Sequence, residues 1–190
     1  MADPDGRTVR PLTNRRFYDI SEPSLSSDDK KLLFSTDIGS GSQMQIYSLD
    51  TETPASILQP HVPNEPRSPI YAGAFLTPDG RRIVFLAASQ GSKAFDYDVY
   101  RLDLASNAVE KLPAKSGYAT NLCLSSDGKS AAFLRWSSRY GSSFPTVSKM
   151  YLLDLTTKNL TALPIHRNTI STHLTLARTE SIHGESTAPH

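Results

Sequence analysis

The residues with the chemistry for catalysis or metal binding are few in this chain, and their spacing leaves them idle. Of the five histidines, His61 stands alone, and His166, His173, His183 and His190 are strung along the C-terminal stretch at spacings that match no zinc pattern. None of them stands in a fixed relation to Cys123, so no Cys–His nucleophile is indicated, and a lone cysteine in an apolar segment reads as an inert buried thiol. The run GSGS at 39–42 is followed by neither Lys-Ser nor Lys-Thr and opens no helix, so it is not a phosphate loop. A G-x-S-x-G nucleophile elbow is absent from the sequence. Asp28, Asp79 and Asp127 each sit in a tight turn, where capping of the backbone accounts for them. Asp50, Asp103 and Asp154 close strand-like runs and start turns in the same way. The expectation is a non-enzyme without metal or cofactor.

Binding chemistry is better represented. The segment RWSSRYGSSF brings together Arg135, Trp136, Arg139, Tyr140 and Phe144, residue types enriched in interface hot spots. FDYD at 95–98 adds Phe95 and Tyr97, with Asp96 and Asp98 flanking the tyrosine as suits a cation or a basic peptide. The competing structural reading has Trp136 ending a strand and packing inside, with the arginines solvated and FDYD a polar loop holding one packed ring.

What must position these residues is a repeat. Ser27-Asp28-Asp29, Pro78-Asp79-Gly80 and Ser126-Asp127-Gly128 align, with a period of 51 and then 48 residues between their aspartates. Phe34, Phe85 and Phe133 align behind them. Ile46-Tyr47-Ser48-Leu49-Asp50 matches Val99-Tyr100-Arg101-Leu102-Asp103 and Met150-Tyr151-Leu152-Leu153-Asp154, and Leu58 matches Leu112 and Leu163. Each unit reads as four short strands. The first is PSLS, AFLT or LCLS. After the turn, KLLFST, RIVFLAA or SAAFLRW is apolar on both faces, as a strand buried between two layers should be. The third, QIYSLD, DVYRLD or KMYLLD, places Tyr and Leu on one face, and the recurring tyrosines point to packing between units. A weaker fourth strand follows. Asp29 stands where the other turns have glycine, so the first turn is expected to be the least ideal. No apolar stripe at helical spacing lasts more than two turns.

A four-stranded antiparallel unit of about 40 to 50 residues, repeated, is the mark of a β-propeller blade. LTPDGRRIVF…DVYRLDL and its two companions resemble the TolB-like, WD40-like (PD40) propeller repeat, over residues 15–163. The resemblance implies an all-β partial propeller of about three four-stranded blades plus an N-terminal strand. It places the closing strand of a preceding blade at 1–14, blades at 15–59, 60–113 and 114–163, and a weakly ordered tail, or the start of a further blade, at 164–190. It also implies a non-catalytic scaffold for a protein or peptide. The rival it leaves open is the propeller portion of an S9-type serine peptidase lacking its hydrolase domain. A carbohydrate-binding or lyase-type propeller is a further rival, one that needs aromatic and acidic residues around a central pocket.

Three units do not close a ring, since propellers have about four to eight blades. The chain is therefore expected to be part of a longer protein, or to form a homodimer in which two copies complete the ring. In a blade of this connectivity the first-to-second and third-to-fourth turns share one edge. The long connections 37–44, 59–70, 89–97 and 137–148 share the other, and variable loops on a rigid scaffold are where binding residues concentrate. A net charge of +1 gives no reason to expect nucleic acid, and no apolar run approaches the roughly 20 residues of a membrane span. The resemblance implies a periplasmic or cell-surface parent. The chain as written has no apolar leader at its start, which reads as cytoplasmic.

Overall fold

The structure, a computed structural model, describes residues 19–37, 42–51, 53–62, 70–88, 97–114, 118–137 and 147–164. The described residues form twelve strands and no helix, so no helix among them is long and apolar enough to cross a membrane. The strands make three antiparallel four-stranded sheets in simple meander order. The first contains β1 (Asp19–Leu25), β2 (Lys31–Asp37), β3 (Ser42–Ser48) and β4 (Thr53–Leu58). The second contains β5 (Ile70–Leu76), β6 (Arg82–Ala88), β7 (Tyr97–Asp103) and β8 (Val109–Lys111). The third contains β9 (Tyr118–Leu124), β10 (Ser130–Ser137), β11 (Val147–Asp154) and β12 (Leu160–Leu163). Consecutive sheets meet through their first strands, β5 against β1 and β9 against β5. β1, β5 and β9 thus form the inner row.

Alternation along β6 explains the stacking. Ile83, Phe85 and Ala87 join Leu33, Met44 and Ile46 in one core, between the first and second sheets. Val84 and Leu86 point the other way and join Ala131, Phe133 and Leu153 in a second core, between the second and third sheets. A strand covered on both faces has to be apolar at every position, which is what RIVFLAA provides. Tyr100 stacks on Phe85 with ring centroids 5.7 Å apart, and Tyr151 on Phe133 at 5.9 Å.

The turns follow the expected chemistry. Ser26, Thr77 and Ser125 donate their hydroxyls to Asp28, Asp79 and Asp127, which also accept the backbone N–H of Lys30, Arg81 and Lys129. These bonds, the hydroxyl first in each case, hold the three carboxyls below their ordinary range. The left-handed position is filled by Gly80 and Gly128 at φ 66° and 69°, and by Asp29 at φ 56°. Asp103 caps the next turn through the N–H of Ser106 and Ala105, and Asp154 does so through those of Thr157 and Thr156.

Two features depart from the repeat as read. In the first sheet Lys31 pairs with Ser48, whereas Arg82 pairs with Asp103 and Ser130 with Asp154. The Y-x-L-D match is therefore displaced by two residues in the first unit. Gln45, not Tyr47, stands opposite Phe34 where the other sheets have Tyr100 and Tyr151, and Leu49 takes the place of Leu104 and Leu155. An even displacement leaves Tyr47 on the same face, which is why the alternation hid it. The first strands also begin earlier than PSLS, AFLT and LCLS indicate. Each carries one extra residue against its partner, between Ser21 and Ser24, Ala72 and Phe75, and Thr120 and Cys123. Gly73 and Asn121 adopt φ 50° and 52° within these bulges. A bulge breaks the period-two signal on which strand reading depends.

Candidate functional site

The structure sorts the candidate residues into three groups. Phe95, Arg139, Tyr140 and Phe144 lie outside the described residues. Trp136 is in β10, opposite Ser148 of β11. Tyr97 opens β7 and packs, half-buried, against the core between the second and third sheets. Arg135 is the departure from expectation. It is neither solvated nor on an open loop: it is 4% exposed near the end of β10.

The reason lies in the register. Arg135 follows its turn aspartate by the same interval as Ala87 and Thr36 follow theirs. That position faces the preceding sheet, and Ala87 there belongs to the apolar core. Arg135 therefore enters the seam between the second and third sheets. Its Nη2 donates to Asp98 Oδ1 at 3.2 Å. The other oxygen of Asp98 lies 2.5 Å from Lys111 Nζ, and Lys111 sits over the Tyr100 ring at 5.9 Å from its centroid. Arg135 Nε and Nη1 are buried without a hydrogen-bond partner. A buried donor left unmade costs about 1–3 kcal/mol, and more on a charged group. Among the described residues the cluster thus brings Arg135 and Lys111 to the Asp98 carboxylate, with unused donors on its most buried member. Asp98 of FDYD does meet cations, but they belong to this same protein.

A second polar cluster lies at the opposite end of the same seam. Arg101 donates to Glu110 Oε2 at 2.6 Å and to the backbone carbonyl of Leu155 at 2.9 Å. Lys158 from the third sheet donates to Glu110 Oε1. These bonds, that from Lys158 first, hold the Glu110 carboxyl below its ordinary range. Every strong donor here has an acceptor, which marks a clamp rather than a site. Sequence reading overlooked both clusters, because the partners stand 37 residues apart for Arg135 and Asp98 and 48 apart for Lys158 and Glu110. The one local signal was an arginine in a strand position that the repeat fills with a small residue.

Elsewhere the described residues show little chemistry. No group of three or more metal-binding side chains occurs among them. Cys123 is buried in β9. Tyr71 donates its hydroxyl to the carbonyl of Pro60 at 2.7 Å, and burial raises its pKa to about 12.

No protein-family model matches the chain, and no curated protein matches it significantly. Solved structures do. TolB from Acinetobacter baumannii is similar over 86% of this chain and 36% of its own length, at 22% identity and a TM-score of 0.61. A putative TolB from Agrobacterium tumefaciens is similar over 80% of this chain and 50% of its own, at 14% identity and a TM-score of 0.58. The β-propeller domain of the Trilobed protease from Pyrococcus furiosus is similar over 78% of this chain and 44% of its own, at 13% identity and a TM-score of 0.53. The chain therefore spans about a third to a half of the TolB structures it matches. At these identities the likeness is one of fold, and the three sheets are three successive blades of a TolB-like β-propeller.

Proposed function

We propose that the chain is a non-catalytic propeller scaffold that docks a protein or peptide on its long-connection edge. The observation that carries this reading is the contrast between the two edges. At the short-turn edge the three turn aspartates are saturated by their own hydroxyl and backbone donors. These three carboxylates are used up in shaping the turns. At the other edge a buried arginine keeps unused donors beside the connections that vary in length and composition. The similarity to TolB supports a role that needs no catalytic residue of the protein's own.

Selection of peptides on the full folded protein from a random display library, followed by edge-specific substitution, tests the proposal. Substituting Arg139, Tyr140 and Phe144 together is expected to weaken the selected peptides at least about tenfold. Substituting Lys30, Arg81 and Lys129, which edge the short turns, is expected to leave binding unchanged. Binding that tracks the short-turn set instead would overturn the reading.

A second reading has its own support, since acylaminoacyl peptidase from Pyrococcus horikoshii and the tricorn protease are also structural neighbours, with TM-scores of 0.51 each. In that reading the same loops border a substrate path to a hydrolase domain. A G-x-S-x-G elbow in the genomic reading frame contiguous with this sequence would favour it. Further Asp-Gly repeats there, without an elbow, would favour the scaffold.

A further inference from the structure

Arg135 is the residue that the packing of the three blades does not account for. At the equivalent position the second blade has Ala87, which joins an apolar core. Nor does Asp98 require it, because Lys111 already lies 2.5 Å from that carboxylate. The guanidinium is 4% exposed, spends one nitrogen on Asp98 at 3.2 Å, and keeps Nε and Nη1 buried and unpartnered. Asp98 and Lys111 are 27% and 56% exposed, so the cluster opens to solvent on the long-connection edge. Arg135 shares the Asp98 carboxylate with Lys111, and the acceptor-poor group is the Arg135 guanidinium, whose Nε and Nη1 have no partner.

We propose that this cluster is an anion subsite that takes a carboxylate of the docked peptide or protein. The incoming carboxylate accepts hydrogen bonds from the Arg135 guanidinium, whose planar fork suits two carboxylate oxygens. Asp98 stays with Lys111. The exchange swaps one ion pair for another, so in the empty site Asp98 acts as an internal competitor for Arg135. This inference rests on the long-connection edge being the docking face, and adds that the docked partner brings negative charge there. The carboxylate has two sources, an Asp or Glu of the partner or the partner's terminal α-carboxylate.

The test follows the Arg135 Nε–H resonance in the full-length protein, assigned by its loss in Arg135→Met. Three probes are titrated: N-acetyl-hexaglutamate amide, N-acetyl-hexaglutamine with a free terminal α-carboxylate, and neutral N-acetyl-hexaglutamine amide. The resonance is expected to shift saturably with one of the two charged probes and not with the neutral one, and the probe that moves it names the source. Arg135→Met is expected to melt within a few degrees of the parent and to weaken that charged probe about ten- to a hundredfold, the range for a hydrogen bond between charged groups. Asp98→Asn is expected to tighten the same probe, because the competitor is gone. A resonance that ignores both charged probes, or moves equally with the neutral one, overturns the subsite. So does weaker binding in Asp98→Asn, a readout that survives even if Arg135→Met fails to fold. Backbone shifts along the long-connection edge with the neutral probe alone would keep the docking face and remove only the subsite.

Discussion

The seam between the first and second blades and the seam between the second and third are made from equivalent positions, yet they are filled differently. The first is apolar through its depth: Leu33, Met44 and Ile46 meet Ile83, Phe85, Ala87 and Leu102, with Val62 and Tyr71 at one side. No ion pair between described residues crosses it. The second has an equally apolar middle, with Val84, Leu86 and Val99 against Ala131, Phe133 and Leu153. Charged groups close it at both ends, Arg101–Glu110–Lys158 at one and Arg135–Asp98 at the other. One repeat can therefore stack without charges, by hydrophobic burial joined by the Ser24 and Ser27 hydroxyls, which donate to the carbonyls of Ala74 and Pro78. The charges in the second seam are additions to a scaffold that does not need them, and of the two additions only the Arg135 cluster is left unsatisfied.

The largest effect should come from the shared part. Phe85→Ala and Phe133→Ala remove fully buried rings from equivalent positions and should each cost about 3–5 kcal/mol in denaturant unfolding. A loss at Phe133 much smaller than at Phe85 would break the equivalence of the seams. Next come the turn glycines. A methyl group on Gly128 would lie 2.4 Å from Pro78 Cδ, whereas one on Gly80 meets nothing within 4 Å, and both glycines have positive φ. Gly80→Ala should thus cost about 1–2 kcal/mol for the backbone alone. Gly128→Ala should cost about 1–3 kcal/mol more for the clash. Equal losses would mean that the third turn does not press on the second.

Glu110→Gln tests the satisfied end of the second seam. Its carboxylate is partly exposed, so the loss should be about 1 kcal/mol or less and shrink with added salt. A carboxyl whose folded pKa lies below its unfolded value contributes stability that is present above the unfolded value, about 4.3 for Glu. That contribution is lost as pH falls through the folded value. Hydrogen exchange should therefore rise in β7 and β12 on acidification below about pH 4 before it rises in β2, and simultaneous loosening would contradict the assignment. The smallest effect is expected at Arg135. Arg135→Ala installs the residue the second blade uses and leaves Asp98 with Lys111, so the melting temperature should change by no more than a few degrees. A large fall would make Arg135 a structural strut.

Much of this molecule was legible locally. Asp-Gly turns, with Asp29 in place of glycine in the first, two-faced apolar second strands and a period near fifty residues are properties of short segments, set by backbone sterics and side-chain alternation. They determine that the protein makes four-stranded antiparallel units that must cover one another. Three things waited for the tertiary structure. The two-residue displacement of β3 kept every side chain on its face, so no pattern betrayed it. The bulges in β1, β5 and β9 interrupt the pattern by which strands are read, and Glu22-Pro23, Gly73 and Asn121 look like strand ends when met singly. The burial of Arg135 was decided by which sheet lies against which, because its partner Asp98 belongs to the neighbouring blade. Local sequence settles how a blade folds; the cross-blade contacts that give it unused binding capacity exist only once the blades are stacked.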